Sequence, residues 1–291
     1  MLDRTQTAVL FPGQGSQTSG MRDRVQALRP DLLDAACELV GEDPFERVGE
    51  STRFAQPAIF CASLTAWGQI AGLVDPDALA GHSLGELSAL AAAGALDELD
   101  ALRLVVLRGR LMAESGEASG GGTMLALVGG NPGRGRSLAT RYGVTLANDN
   151  APDQVVLSGA PDRLKLCREE AKADGQRALM LDVAGAFHSP QMAAAVEPFR
   201  AALAEVNFSE PRVTVVSCAT TKPFEDPASE LADALVAPVR WRETMLALQA
   251  RGIRTYVDVG PGKVLGKLVA RNVQGAAVSG PETMLEAANV A

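Results

Sequence analysis

The sequence predicts an α/β protein: a parallel sheet with helices on both faces, interrupted by a smaller unit of different rhythm. Three observations predict it. Short apolar runs alternate with helical periodicities, the pattern of strands buried between helix layers. Between residues 123 and 187 the order becomes β-α-β-β-α-β, a split βαβ or ferredoxin-like unit. After His188 the helix–strand alternation resumes, so the unit is inserted into a core made of residues 1–122 and 188–291.

The elements follow in order. Ala8-Val9-Leu10-Phe11 is an apolar run ending in Pro12-Gly13-Gln14-Gly15, a buried strand entering a glycine-rich loop. Residues 22–41 carry Val25, Leu28, Leu32, Leu33, Ala36 and Val40 at helical spacing. A second helix is expected from Pro57 to Leu73, because proline suits a first turn, where its missing N–H is no loss. Asp77–Gly81 reads as a strand, Leu84–Ala93 as a small-residue helix and Glu98–Met112 as an amphipathic helix. The glycines of Gly116–Gly122 mark a hinge into the inserted unit.

That unit reads as strand Met124–Val128, helix Arg134–Arg141 and strands Val144–Ala147 and Gln154–Leu157, joined through Asn148-Asp149-Asn150-Ala151-Pro152. Helix Pro161–Ala173 and strand Arg177–Val183 complete it. Helix Pro190–Val206, strand Val213–Ser217, helix Trp241–Ala250 and strand Thr255–Val259 return the chain to the core pattern.

Composition narrows the function classes. The 291 residues are 47% apolar, enough for a large buried core, and aromatics are only 4%, so small aliphatics do most of the packing. A net charge of −8 is the wrong sign for coating nucleic acid and gives no polybasic membrane signal. No signal-peptide core is present at the N-terminus, and no apolar run approaches the ~20 residues of a membrane span. The expected location is therefore the cytoplasm. Cys37, Cys61, Cys167 and Cys218 form no C-x-x-C pair; with two histidines in the chain, no metal site is expected, and the cysteines read as reduced thiols.

Gly81-His82-Ser83-Leu84-Gly85 is a G-x-S-x-G pentapeptide with an apolar run before it and a helical pattern after it. In such a turn the serine hydroxyl is presented on a tight strand-to-helix bend, and the flanking glycines remove side chains that would clash. The same residues also fit a serine cap with glycines for the turn. A serine nucleophile needs a base, and only His82 and His188 are available. Neighbours on a tight turn point in different directions, which favours His188, in Phe187-His188-Ser189-Pro190, over a purely structural role. A histidine with more than a hundred residues after it departs from the usual esterase order.

Two glycine loops resemble nucleotide motifs and fail. G-x-G-x-x-G would need glycine where Thr18 stands, and Gly260-Pro261-Gly262-Lys263 lacks the rest of a phosphate loop. The loop at Gly13-Gln14-Gly15 is instead placed to offer a backbone N–H opposite the one after Ser83. Arg108 lies among apolar residues in Leu104–Met112. Its planar fork suits a bidentate carboxylate, although local sequence alone favours an arginine reaching to solvent.

Seven ordered blocks, among them Phe11-Pro12-Gly13-Gln14-Gly15-Ser16-Gln17, Gln56-Pro57-Ala58, Gly81–Glu86, Arg108-Gly109, Phe187-His188-Ser189, Pro238-Val239-Arg240-Trp241 and Val259–Leu265, resemble the malonyl-CoA:acyl-carrier-protein transacylases and the related polyketide synthase acyltransferase domains. The resemblance spans about residues 8–270. It implies an α/β-hydrolase-like core with a ferredoxin-like subdomain. It implies Ser83 as acylated nucleophile, His188 as base, and the amides of Gln14 and Leu84 as oxyanion hole. Arg108 would bind the malonyl carboxylate, and Gln56, Asn148 and Asn150 would line the substrate site. The main-chain carbonyl of Arg240 would orient the histidine; stand-alone members often carry glutamine there. Malonyl-CoA and an acyl carrier protein are the implied partners, with no metal or bound cofactor. A serine hydrolase, the malonyl-transferring subunit of a malonate decarboxylase and a non-catalytic carrier-docking scaffold remain as alternatives.

Overall fold

The computed structural model describes residues 6–130 and 132–290. Along the core run β1 (Gln6–Phe11), α1 (Met21–Leu28), α2 (Pro30–Val40), α3 (Thr52–Ile70), β2 (Ala78–Gly81), α4 (Gly85–Ala92) and α5 (Glu98–Ala118). The next segment holds β3 (Thr123–Val128), α6 (Pro132–Tyr142), β4 (Thr145–Ala151), β5 (Gln154–Gly159), α7 (Pro161–Ala173) and β6 (Arg177–Leu181). A 3₁₀ turn at Pro190–Met192 leads to α8 (Ala193–Ala204), β7 (Val215–Val216), α9 (Pro227–Asp233), α10 (Trp241–Ala250), β8 (Ile253–Asp258), α11 (Val264–Asn272), β9 (Ala277–Ser279) and α12 (Pro281–Val290).

The main sheet has the order β7-β2-β1-β8-β9, and every pairing in it is parallel. Alternate residues of β1 feed opposite cores, as a two-sided sheet requires. Val9 and Phe11 join a cluster with residues of α3, α4 and α5, such as Ile59, Leu90 and Val105. Ala8 and Leu10 join Trp241, Met245, Tyr256 and Leu265 on the other face. The second sheet, β4-β5-β3-β6, is antiparallel throughout and matches the expected split βαβ order. One face packs on its own helices through Leu125, Leu138, Leu157 and Leu164. The other sends Met124, Ala126 and Val156 into the main core, so the unit is docked on the larger body along a whole sheet face.

Several expected boundaries move for identifiable reasons. The single helix expected over 22–41 is two, because Pro30 disfavours helical geometry at Arg29, whose φ is −142°. Helix α3 starts at Thr52, capped by the Ser51 Oγ, which accepts the Arg53 N–H at 3.2 Å. Pro57 is therefore inside the helix rather than in its first turn. Helix α5 runs on to Ala118, leaving only a short link before β3. The segment read as a connecting turn, Asn148 to Ala151, is strand: Val239 donates to the Ala147 carbonyl at 2.8 Å, and Asp149 donates to the Val239 carbonyl at 2.9 Å. Those two bonds tie β4 to the loop before α10, and the Arg242 guanidinium grips the Asp149 carboxylate across the same seam at 2.9 Å.

Candidate active site

The Ser83 turn is built at the carboxyl ends of adjacent parallel strands. Strand β2 ends at Gly81, and α4 begins at Gly85, so His82, Ser83 and Leu84 make the whole reversal. Ser83 has φ 55°, the left-handed region that non-glycine residues seldom occupy. Both flanking glycines are sterically required. A Cβ on Gly81 would stand 1.9 Å from the Gly85 carbonyl carbon, and one on Gly85 would stand 2.0 Å from the Phe11 oxygen. Neither neighbour is a side chain that can swing away. Gly85→Ala is therefore expected to destabilise the fold by about 3 kcal/mol, read as a lower urea midpoint, together with loss of Ser83 reactivity.

His188 also has positive φ, 54°, and is buried at 4% exposure. Its Nε2 lies 2.7 Å from the Ser83 Oγ, across 105 positions of sequence. On the other side of the ring, Nδ1 lies 3.0 Å from the carbonyl oxygens of Ala234 and of Ala237. Carbonyls only accept, so Nδ1 carries the proton and Nε2 presents its lone pair to the serine hydroxyl. Burial, and then the nearby Arg108 charge, lower the His188 pKa to about 3, so the imidazole is neutral at physiological pH.

This corrects the expectation for Arg240. Its carbonyl accepts the Thr244 N–H at 2.9 Å and the Thr244 hydroxyl at 3.0 Å, opening α10, while its guanidinium pairs with Glu243. The carbonyls holding the histidine are those of Ala234 and Ala237, just after α9. No side-chain pattern announces a backbone carbonyl, which is why sequence reasoning passed over both.

Arg108 comes from α5 and is 4% exposed. Its Nη1 donates to Gln56 Oε1 at 2.7 Å and its Nη2 to Ser83 Oγ at 3.1 Å. Gln56 is fixed in turn, its Nε2 donating to Thr52 Oγ1 at 2.8 Å and approaching the Met112 sulfur at 3.3 Å. Burial lowers the Arg108 pKa to about 10, with Glu86 acting in the opposite sense, so the guanidinium stays charged near neutrality.

These groups open on a cavity of about 300 Å³ lined by Gln14, Gln56, Ser83, Leu84, Arg108 and His188, with Asn148 entering from the inserted unit. The Asn148 Oδ1 is buried without a hydrogen-bond partner. Asn150, expected to face the same cleft, does not line it. Its Oδ1 accepts from His82 Nε2 at 2.9 Å, and the His82 ring packs against Trp241 with centroids 5.3 Å apart. Asn150 thus bonds the His82 ring at the turn rather than lining the cavity. Nothing in the sequence pairs His82 with Asn150, since 68 positions separate them. A larger cavity, about 780 Å³, lies by Arg24 and the Gly260–Gly262 loop and contains neither Ser83 nor His188.

The four cysteines are free thiols. Among the described residues no group of three His, Cys, Asp or Glu is placed to hold a metal ion, and no helix is long and apolar enough to cross a membrane.

The geometry has close relatives. Residues 37–285 match the acyl transferase domain family. The malonyl CoA-acyl carrier protein transacylase of Bacillus subtilis (strain 168) is 38% identical over 95% of this chain and 94% of its own length. The polyketide biosynthesis protein ThaF of Burkholderia thailandensis is 36% identical over 91% of this chain, which spans only 24% of that longer protein. Among solved structures, the malonyl CoA-acyl carrier protein transacylase of Coxiella burnetii superposes with a TM-score of 0.89 at 30% identity, covering 97% of this chain and 96% of that one. An acyl-carrier-protein S-malonyltransferase from Burkholderia pseudomallei gives 0.88 at 32% identity, covering 98% and 99%. The chain belongs to the acyl transferase domain family, among the malonyl-CoA:acyl-carrier-protein transacylases.

Proposed function

We propose that the chain moves a malonyl group from malonyl-CoA to the phosphopantetheine thiol of an acyl carrier protein, through an ester on Ser83. One observation carries this reading: a single serine hydroxyl is shared by a neutral imidazole at 2.7 Å and a buried guanidinium at 3.1 Å. The imidazole supplies base catalysis, and the guanidinium supplies a seat for a carboxylate three carbons from the thioester sulfur.

In the first half-reaction His188 Nε2 takes the Ser83 proton as Oγ bonds to the thioester carbon. The amides of Leu84 and Gln14 receive the oxyanion. The carbon–sulfur bond then breaks, and coenzyme A leaves with the proton returned from His188. In the second, the carrier thiol gives its proton to His188, its sulfur attacks the ester carbon, and Ser83 Oγ departs reprotonated. The carbonyls of Ala234 and Ala237 do the orienting that a carboxylate does in a Ser-His-Asp triad, and they stabilise the imidazolium as dipoles rather than as a full charge. Asn148, whose oxygen is unpartnered at the cavity wall, would accept an N–H of the incoming substrate. The proposed chemistry needs no metal or bound cofactor, and the proposed setting is the cytoplasm, in fatty-acid or polyketide biosynthesis.

The test is transfer from labelled malonyl-CoA to a panel of holo carrier proteins, with intact-mass detection of the Ser83 ester. Malonyl-enzyme followed by malonyl-carrier is expected; turnover of simple esters with no transfer to any carrier would reject the reading. The pH dependence is also set. His188 is neutral above a pKa of about 3, so acylation should stay flat between pH 8 and pH 5 instead of falling near ~6.5, the ordinary histidine value. Stability behaves differently: the unfolded chain binds the His188 proton more readily, so this contribution is lost as pH falls from ~6.5 toward the folded value of about 3.

A further inference from the structure

Glu86 is a buried carboxylate that the steps above leave unused. It lies in the first turn of α4, just beyond Ser83, and is 2% exposed. Its Oε1 accepts the Cys218 N–H at 2.8 Å, and the Cys218 sulfur in turn faces the Ser83 N–H at 3.5 Å. A carboxylate among neutral groups is expensive to bury, although the positive end of a helix favours its ionised form. Arg108 has the complementary situation. It is equally buried, and its fork points at two neutral oxygens, Gln56 Oε1 and Ser83 Oγ. Burial raises the Glu86 pKa; the Cys218 N–H opposes that rise most and Arg108 adds a smaller pull in the same direction, while for Arg108, after burial itself, Glu86 is the largest influence and opposes its loss of charge.

We propose that Glu86 tunes acyl selectivity: its carboxylate, anchored on the Cys218 N–H beside the nucleophile turn, discounts the positive charge that Arg108 offers to an anionic acyl group. The proposal rests on the malonyl reading above. A contact ion pair would fill the guanidinium fork and exclude substrate. A carboxylate held by a backbone N–H leaves the fork free while lowering the potential in the cavity. The malonyl group is then held less tightly than an uncompensated buried arginine would hold it, which leaves it free to depart on the carrier thiol. Removing the Glu86 charge should strengthen the attraction for malonyl and leave a neutral acetyl group unaffected by that term.

Glu86→Gln separates charge from shape, because the amide oxygen still accepts the Cys218 N–H. The quantity to measure is the ratio of kcat/KM for malonyl-CoA to that for acetyl-CoA, both on one preparation, so that the fraction of active protein cancels. The ratio is expected to rise about five- to tenfold in E86Q, and to change less than about twofold when the same substitution is made in an R108A background. An unchanged or lower ratio in E86Q overturns the proposal, as does an equal rise without Arg108. Glu86→Asp retains the charge and should stay within about twofold of the parent; a shift as large as that expected for E86Q overturns it even if E86Q does not fold. Failure of the parent chain to form any Ser83 malonyl ester would instead strike at the function itself.

Discussion

Ser83→Ala is expected to form no acyl-enzyme, and malonyl transfer should fall by about ten-thousand-fold or more. The hydroxyl is the group to which the other components converge: His188 Nε2 at 2.7 Å, Arg108 Nη2 at 3.1 Å and the start of α4 behind it. Alanine keeps the backbone turn and the proposed oxyanion donors, so binding of the donor should survive while covalent chemistry stops. His188→Ala should show nearly the same loss in transfer, because the two residues act as one unit and their effects do not add. Intact-mass analysis after incubation with malonyl-CoA decides the matter. A malonyl adduct on the S83A protein would place the nucleophile elsewhere, and a double variant much slower than either single one would mean that His188 acts on something other than Ser83.

The parts of this site that could be read from the sequence are those carried by side-chain identity under a steric constraint. Gly81 and Gly85 flank Ser83 because a Cβ at either would meet backbone, and that constraint leaves a pentapeptide signature. His188 is legible by scarcity, since the alternative, His82, shares the turn with Ser83; in the structure the His82 ring meets Asn150 instead. The order of the inserted unit was legible because strand and helix periodicities differ over even short runs. What was not legible depends on tertiary pairing. Asn148 to Asn150 have turn-forming composition, yet β4 continues through them because Val239 supplies the hydrogen bonds. The support for His188 comes from carbonyls at Ala234 and Ala237, residues whose side chains say nothing about the role. Transfer of a motif block assigned that role to Arg240, but a block fixes residue identity and not which carbonyl is aimed at the ring. Glu86 was inside the recognised block, and its burial against Cys218 was visible only in three dimensions.

Arg108→Ala is expected to lower kcat/KM for malonyl-CoA by about a thousandfold, with a far smaller effect on acetyl-CoA. The asymmetry follows from charge. A malonyl carboxylate entering the cavity loses its water, and without the guanidinium nothing on the walls replaces that water with a full positive charge. Gln56 would remain, but its Oε1 now faces Arg108 and would present an acceptor to an anion. Acetyl has no such group to desolvate. Arg108→Lys should recover only part of the loss, since an ammonium cannot bridge Gln56 and a carboxylate with the same planar fork. A second readout separates substrate recognition from general damage to the site. Arg108 is among the causes that hold the His188 pKa down, so its removal should move the acid limb of the acetyl-transfer profile toward higher pH. Equal losses for the two donors, with an unmoved acid limb, would mean that Arg108 supports the packing of the cavity and not the recognition of a carboxylate.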